Sequence, residues 1–218
     1  MLTFSEENYI KSLFHLQQNT QHGVSTSALA QRLETKPSSA TDMLQKLSDK
    51  GLVDYIKYKG ALLSPEGYQL AAHIVRKHRL WEVFLVKTLD FSWDQVHDIA
   101  EQLEHIHSPL LVEKLDAFLG HPRRDPHGDP IPDKNGYLPE VQKTLLSEHI
   151  SGQESILVSV KDASDNFLKY LNQKNISLGA HIKVIALEPF DGSMTVEIND
   201  LTHYFSPTIT TNLYVQSL

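Results

Sequence analysis

The sequence has 218 residues and no cysteine. That absence excludes a disulfide framework, a thiolate metal site and a cysteine nucleophile. Long apolar runs are missing too. None approaches the ~20 residues of a bilayer span, and the chain passes quickly into polar Ser5-Glu6-Glu7-Asn8, so neither a signal peptide nor a membrane anchor is expected. The short signatures of many enzymes are also absent: HExxH, GxSxG, the Walker A loop and GxGxxG. An inverted HxxEH zinc-peptidase pattern would need histidine at position 101, which is Glu101. Positive charge is short, with 20 Lys and Arg against 27 Asp and Glu and a net charge of -7, a total that argues against a nucleic-acid partner. What remains, 40% hydrophobic and 22% charged residues, is ordinary globular composition, long enough for more than one compact domain. The expectation is a soluble, cytoplasmic protein.

The charge is unevenly spread. Residues 1–80 hold 10 Lys and Arg against 7 Asp and Glu, a net of +3, whereas residues 81–150 hold 6 against 13, a net of -7. A basic first third therefore precedes an acidic middle, and this asymmetry is a better guide to partners than the total. Histidine is abundant at 12 residues, and His73, His78, His97, His105, His107, His121 and His127 all fall in the stretch that ends at position 127. Imidazoles among carboxylates suit Mn, Fe, Co, Ni or Zn.

Along the chain, Ser5 with Glu6 and Glu7 reads as a capped helix start, and Tyr9, Ile10, Leu13 and Phe14 give helical spacing over residues 5–19. Ser25-Thr26-Ser27 leads a second short helix, and Pro37 opens a third that stops at Gly51. Two short apolar runs around Lys57-Tyr58-Lys59-Gly60 then form a hairpin. Helix, helix–turn–helix and hairpin is a winged helix–turn–helix order. Its third helix offers Pro37, Ser38, Ser39, Thr41, Gln45 and Lys46 to a major groove, with Lys57, Tyr58 and Lys59 at the wing tip near phosphates. A long helix over 66–88, one over 93–107 capped by Ser92, and one over 109–119 come next, apolar enough to suit a dimer interface. Five of the ten prolines lie between His121 and Pro139, which marks an ordered loop or linker. Beyond it, β-rich runs at 156–160, 182–187 and 194–198, with one helix near 164–173, fit a small β-barrel. The fold expected is mainly α with a β-rich C-terminal domain. It comprises a winged helix–turn–helix domain at 1–72, a helical metal-binding and dimerisation domain with linker at 73–140, and an SH3-like barrel at 150–218.

The chemistry concentrates in HDIAEQLEHIH. His97, Glu101, Glu104 and His105 project from one side of a helix at 3.6 residues per turn, and His78 with Glu82 repeats the i, i+4 pattern on the helix before. No Lys or Arg lies between Trp93 and Pro109, so the carboxylates repel one another unless a cation is bound, and a metal is the economical cation. Two helices presenting His and Glu in this way surround a metal with mixed N and O ligands. A metal-dependent hydrolase that uses its winged domain for assembly is the alternative, and a metal-storage or protein-docking module is a third.

SEENYIKSLFHL, KPSSATDMLQKLSDKGLV, RKHRLWEVFL, VHDIAEQLEH and GDPIP occur in the order seen in the DtxR/MntR family of metal-dependent transcriptional regulators. The sequence resembles that family strongly over about residues 4–135, and residues 156–215 resemble its SH3-like (FeoA-like) C-terminal domain. The resemblance implies a primary metal site of Glu101, Glu104 and His105 with Asn8 from the first helix. It implies an ancillary site of His78, Glu82 and His97, completed by Asp125, His127 or Asp162. Glu101 stands where iron-sensing members have cysteine and manganese-sensing members glutamate. This favours Mn(II), with Fe(II) the alternative and Zn(II), Co(II) or Ni(II) able to bind in vitro. Asn8 departs from the family's usual Asp or Met, and Lys11 replaces a carboxylate used in some manganese sensors. The resemblance further implies a homodimeric repressor of metal homeostasis that is not an enzyme, acts on palindromic double-stranded operator DNA, and has no membrane partner and no small organic substrate.

Overall fold

The computed structural model of the chain describes residues 2–18, 20, 23–56, 59–139 and 141–218. Two compact units are present. One comprises Met1–Trp81, Ala100–His121 and Ile131–Pro139, the other Glu82–Ile99, Pro122–Pro130 and Glu140–Leu218.

The first unit opens with α1 (Phe4–Gln17), α2 (Thr26–Arg32), α3 (Pro37–Asp49), β1 (Val53–Ile56) and β2 (Gly60–Leu63), then α4 (Pro65–Leu89), inside which the division between units falls. Helix α1 starts earlier than Ser5 suggests because Thr3 is the cap. Its hydroxyl accepts the Glu6 N–H at 3.3 Å while the Glu6 carboxylate accepts the Thr3 N–H at 2.9 Å. That reciprocal box satisfies two backbone donors that helix geometry leaves without partners. Ile10, Leu13 and Phe14 of α1 then pack with Leu29 of α2, Ala40, Leu44 and Leu47 of α3, and Val53, Ala61 and Leu63 of the antiparallel hairpin. Helix α4 approaches the end of this core through Gly67. A Cβ there would stand 2.0 Å from the Leu52 carbonyl oxygen, so only glycine permits the contact. The winged helix–turn–helix arrangement expected from the sequence is thus the observed one, with residues 57 and 58 of the wing outside the described residues.

The helix expected over 93–107 is shorter: α5 covers only His97–Leu103. Ser92 does not cap it. The Ser92 N–H donates to Gln95 Oε1, and the Trp93 and Asp94 side chains are both hydrogen-bonded to Asn172 in the second unit to which they belong. Those bonds hold residues 93–95 in a turn. Past α5, Glu104 and His105 also lie in a turn, and α6 (Pro109–Phe118) begins at Ser108, whose hydroxyl accepts the Leu111 N–H.

The second unit is built on a six-stranded antiparallel sheet of order β3-β8-β4-β5-β6-β7, from β3 (Thr144–Leu145), β4 (Glu154–Val160), β5 (His181–Leu187), β6 (Met194–Ile198), β7 (Leu201–Phe205) and β8 (Leu213–Ser217). Helix α7 (Asp165–Gln173) lays Phe167, Leu168 and Leu171 against Leu157, Ile182, Val196, Phe205 and Val215. Sequence periodicity marks the runs in β4, β5, β6 and α7. It gives no separate signal for β7 and β8, which are five residues each. Among the described residues no helix is long and apolar enough to cross a membrane.

Candidate metal centre

Helix α1 buries its apolar residues on one side and, on another, carries Glu7, Asn8 and Lys11 at one-turn spacing. Glu7 and Lys11 are buried at 3% and 9% exposure, which for charged groups requires partners. The partners come from the same unit, from α5 and the turn that follows it. Lys11 Nζ donates to Glu101 Oε1 at 2.5 Å and to both oxygens of Glu104 at 2.7 and 2.9 Å. Glu104, with no solvent exposure, also accepts from His78 Nδ1 at 2.6 Å. Burial pushes the Glu104 carboxyl up, but the His78 hydrogen bond and the Lys11 charge outweigh it and hold the group below the usual carboxylate range. His78, Glu101 and Glu104 each bring one ligand atom within 4.8 Å of the others.

His105 is oriented from two sides. Its Nδ1 is 2.5 Å from Glu7 Oε2, and its ring stacks on Phe4 with centroids 4.5 Å apart. In a neutral imidazole that hydrogen bond places the proton on Nδ1 and leaves the Nε2 lone pair as the ligand. Nε2 stands 3.9 Å from Glu104 Oε1. Asn8 Oδ1 is buried and accepts no hydrogen bond from the described residues. An amide oxygen left in that state costs about 1–3 kcal/mol, and it is the hard donor that a divalent cation takes. The donor set therefore fits a metal ion of the oxygen- and imidazole-preferring class. Charge repulsion by itself, however, does not demand a metal, contrary to the expectation from sequence. The cation that relieves Glu101 and Glu104 is already in the chain, as Lys11, some 90 positions away.

The second unit forms its own cluster. Glu82, Asp125 and His127, all buried, bring ligand atoms within 4.8 Å of one another, and His97 Nδ1 is 3.5 Å from Glu82 Oε1. Asp125 shapes the loop by accepting the N–H groups of His127 and Asp129. Gly128, at φ +89°, admits the backbone of Val158, whose oxygen would lie 2.0 Å from an added Cβ. Burial works to keep His127 neutral. The hydrogen bond and charge of Glu82, then the charge of Asp125 and the Trp93 carbonyl, overcome it and raise the ring to about 9. Asp162 is half-buried and caps locally, accepting the Ser164 N–H at 2.8 Å. Within the first unit His78 thus joins Glu101 and Glu104 of the primary set, and within the second Glu82 joins Asp125 and His127.

On the winged face, Pro37, Ser38 and Ser39 at the start of α3 are exposed, as are Gln45, Lys46 and Lys59. Thr41 donates back to the Pro37 carbonyl, and Gln45 donates to Asp49. Lys57 and Tyr58 lie outside the described residues. Lys46 Nζ sits 3.0 Å from Glu6 Oε1, which Lys50 also approaches at 2.7 Å. Lys50 above all, with the Thr3 N–H, holds Glu6 at about 2. Sequence reasoning missed Glu6 and Glu7 as parts of the site, and gave Lys11 as the replacement of a carboxylate without its partners Glu101 and Glu104. Their signal was available as a run of charged side chains among the apolar positions of α1, on faces that a solvated helix would not bury.

Three domain families match the chain. Residues 1–61 match the N-terminal DNA-binding domain of iron-dependent repressors, 64–133 the metal-binding and dimerisation domain of the same proteins, and 144–215 the FeoA domain. A solved structure described as a manganese-dependent transcriptional repressor in complex with manganese superposes with a TM-score of 0.89 at 36% identity, covering 98% of this chain and 100% of that one. The HTH-type transcriptional regulator MntR of Oceanobacillus iheyensis is 34% identical over 125 residues, 57% of this chain and 84% of that protein. A probable metal transport system membrane protein of Chlamydia trachomatis is 41% identical over 88 residues. The match takes in 40% of this chain and only 19% of that longer protein.

Proposed function

The chain belongs to the family of iron-dependent repressors, and from that premise we propose that it is a metal-dependent transcriptional repressor controlling metal homeostasis, with Mn(II) its effector and Fe(II) the alternative. The observation that carries this reading is the double use of α1. One side of the helix builds the winged-helix core through Ile10, Leu13 and Phe14, and another presents Asn8 and Lys11 to the buried carboxylates.

Asn8, His78, Glu101, Glu104 and His105 would hold the effector ion, which supplies two positive charges to an oxygen-rich set that prefers hard cations. Glu7 keeps the His105 ring turned so that Nε2 is the ligating atom. Because Asn8 lies on α1 and the others on α4, α5 and the turn after it, ligation fixes the position of α1, and with it α3. Glu6 extends the link, since its carboxylate holds Lys46 and Lys50 at the end of α3. The protein therefore has two arrangements, and metal favours the one in which α3 is set for DNA. Glu82, His97, Asp125 and His127 form an ancillary site, with Asp162 from the C-terminal part as a further contributor. Within the proposed three-part organisation (1–72, 73–140 and 150–218), the middle part pairs two copies. On α6, Leu110 and Phe118 are 64% and 68% exposed. A groove of about 640 Å³ lined by Leu70, Ile74, Ile106 and Val112 adjoins them, and a second copy is the natural cover for such a surface. A homodimer presents two α3 helices to a palindromic operator. The DNA-binding and metal-binding domains that the chain matches favour regulation over hydrolysis.

The test is selection of duplexes from a random pool by the full chain with Mn(II) or with a chelator. Enrichment of a two-fold symmetric sequence only with Mn(II) is the expected result. Equal enrichment in both conditions, or none in either, would contradict the reading.

A further inference from the structure

Lys11 occupies an unusual position. Its side chain is 11% exposed, and its ammonium lies within 2.5–2.9 Å of three carboxylate oxygens, one from Glu101 and two from Glu104. All four N and O atoms come from groups that no local sequence pattern pairs, and the lysine reaches them from α1. An ammonium has three donors and no acceptor, so Lys11 spends its full donor capacity on the two glutamates. Those oxygens are also the ones needed to bind an ion together with His78. A carboxylate oxygen bonded to Lys11 is not free to bind a divalent cation at the same place, and two cations held that close repel.

We propose that Lys11 is the resident cation of the Glu101–Glu104 site. A divalent ion must displace its ammonium, so Lys11 sets the threshold at which the protein responds to metal. The proposal rests on the reading of Glu101 and Glu104 as metal ligands. In the metal-free chain, Lys11 supplies the charge that lets Glu104 be buried, and this keeps the site assembled without an ion. The apparent metal affinity is then the intrinsic one reduced by the fraction of molecules in which Lys11 has swung away. The switch also has a moving part. Lys11 is one turn from Asn8 on α1, so release of the ammonium frees the helix face that carries the amide ligand.

The experiment measures Mn(II) binding to the full chain from the electron paramagnetic resonance of free Mn(II), for the parent, Lys11→Met, Lys11→Arg and Glu104→Gln. Methionine keeps the length of the stem and removes the charge. Lys11→Met is expected to bind Mn(II) at least tenfold more tightly and, without metal, to melt at a lower temperature. Lys11→Arg should bind no more tightly than the parent, because its guanidinium keeps both carboxylates engaged. Glu104→Gln should lose binding at this site. If Glu104→Gln loses it while Lys11→Met is no tighter than the parent, the displacement proposal is wrong and the metal site stands. If Glu104→Gln binds like the parent, the site reading fails and the proposal with it. A measurement on the unmodified chain covers a Lys11→Met that does not fold. Amine acetylation at Lys11, followed by mass spectrometry, should speed up severalfold on adding Mn(II); an equal or slower rate overturns displacement.

Discussion

His127 shows how much a single side chain here depends on its surroundings. Burial alone would make it neutral, yet Glu82 and Asp125 raise it from the ordinary 6.5 to about 9. Because the folded value lies above the unfolded one, the stabilisation is complete below about pH 6.5 and disappears as pH rises through about 9. At ~1.4 kcal/mol per unit this is about 3 kcal/mol. The melting temperature of the chelator-treated protein should therefore fall between about pH 7 and pH 9.5, and His127→Gln should flatten that slope. Parallel curves for the two proteins would show that the charge on His127 is not what stabilises the loop. Other residues are legible from sequence alone. His78, Glu82, His97, Glu101, Glu104 and His105 declare themselves by helical spacing. Lys11 and Glu7 do not, because what makes them informative is a contact across about 90 positions, with Glu101 and Glu104 for one and His105 for the other. The cation that residues 93–109 lack sits on a different helix.

Among the elements, legibility follows local signals. The apolar stripe of α3, the proline at its start and the hairpin's paired apolar runs are short-range patterns, and the structure reproduces them at nearly the expected bounds. The shortening of α5 is invisible in sequence because it depends on Asn172, which belongs to α7 and ties down Trp93 and Asp94. The bond of His78 to Glu104 is invisible for the same reason, because it is tertiary and the spacing within α4 does not announce it. The elements also set different roles for the two lysines described on the winged face. Lys46 leaves Lys50 to partner Glu6 when it turns to a phosphate, whereas Lys59 is exposed at the wing. Replacing both by alanine should weaken binding to all duplex sequences alike and reduce the slope of log K against log salt by about two units, near 0.9 per phosphate contact. Fluorescence anisotropy over a salt series reads this directly. An unchanged slope would move the docking face elsewhere.

At the scale of the molecule, a regulator of this kind is a coupling free energy between two sites, and such coupling is reciprocal. If metal at Asn8, Glu101, Glu104 and His105 raises operator affinity by some factor, operator DNA must raise metal affinity at that site by the same factor. No local repair of either site can mimic that equality. The most direct measurement closes the thermodynamic cycle. Mn(II) affinity is determined with and without a selected operator duplex, and operator affinity with and without Mn(II), for the parent and for Glu104→Ala. Equal enhancement factors of about 5- to 150-fold, the ordinary range for allosteric coupling, are expected in the parent, and a factor of one in the variant. Operator affinity that is indifferent to Mn(II) in the parent, or coupling that survives intact in Glu104→Ala, would contradict metal control of DNA binding through this site.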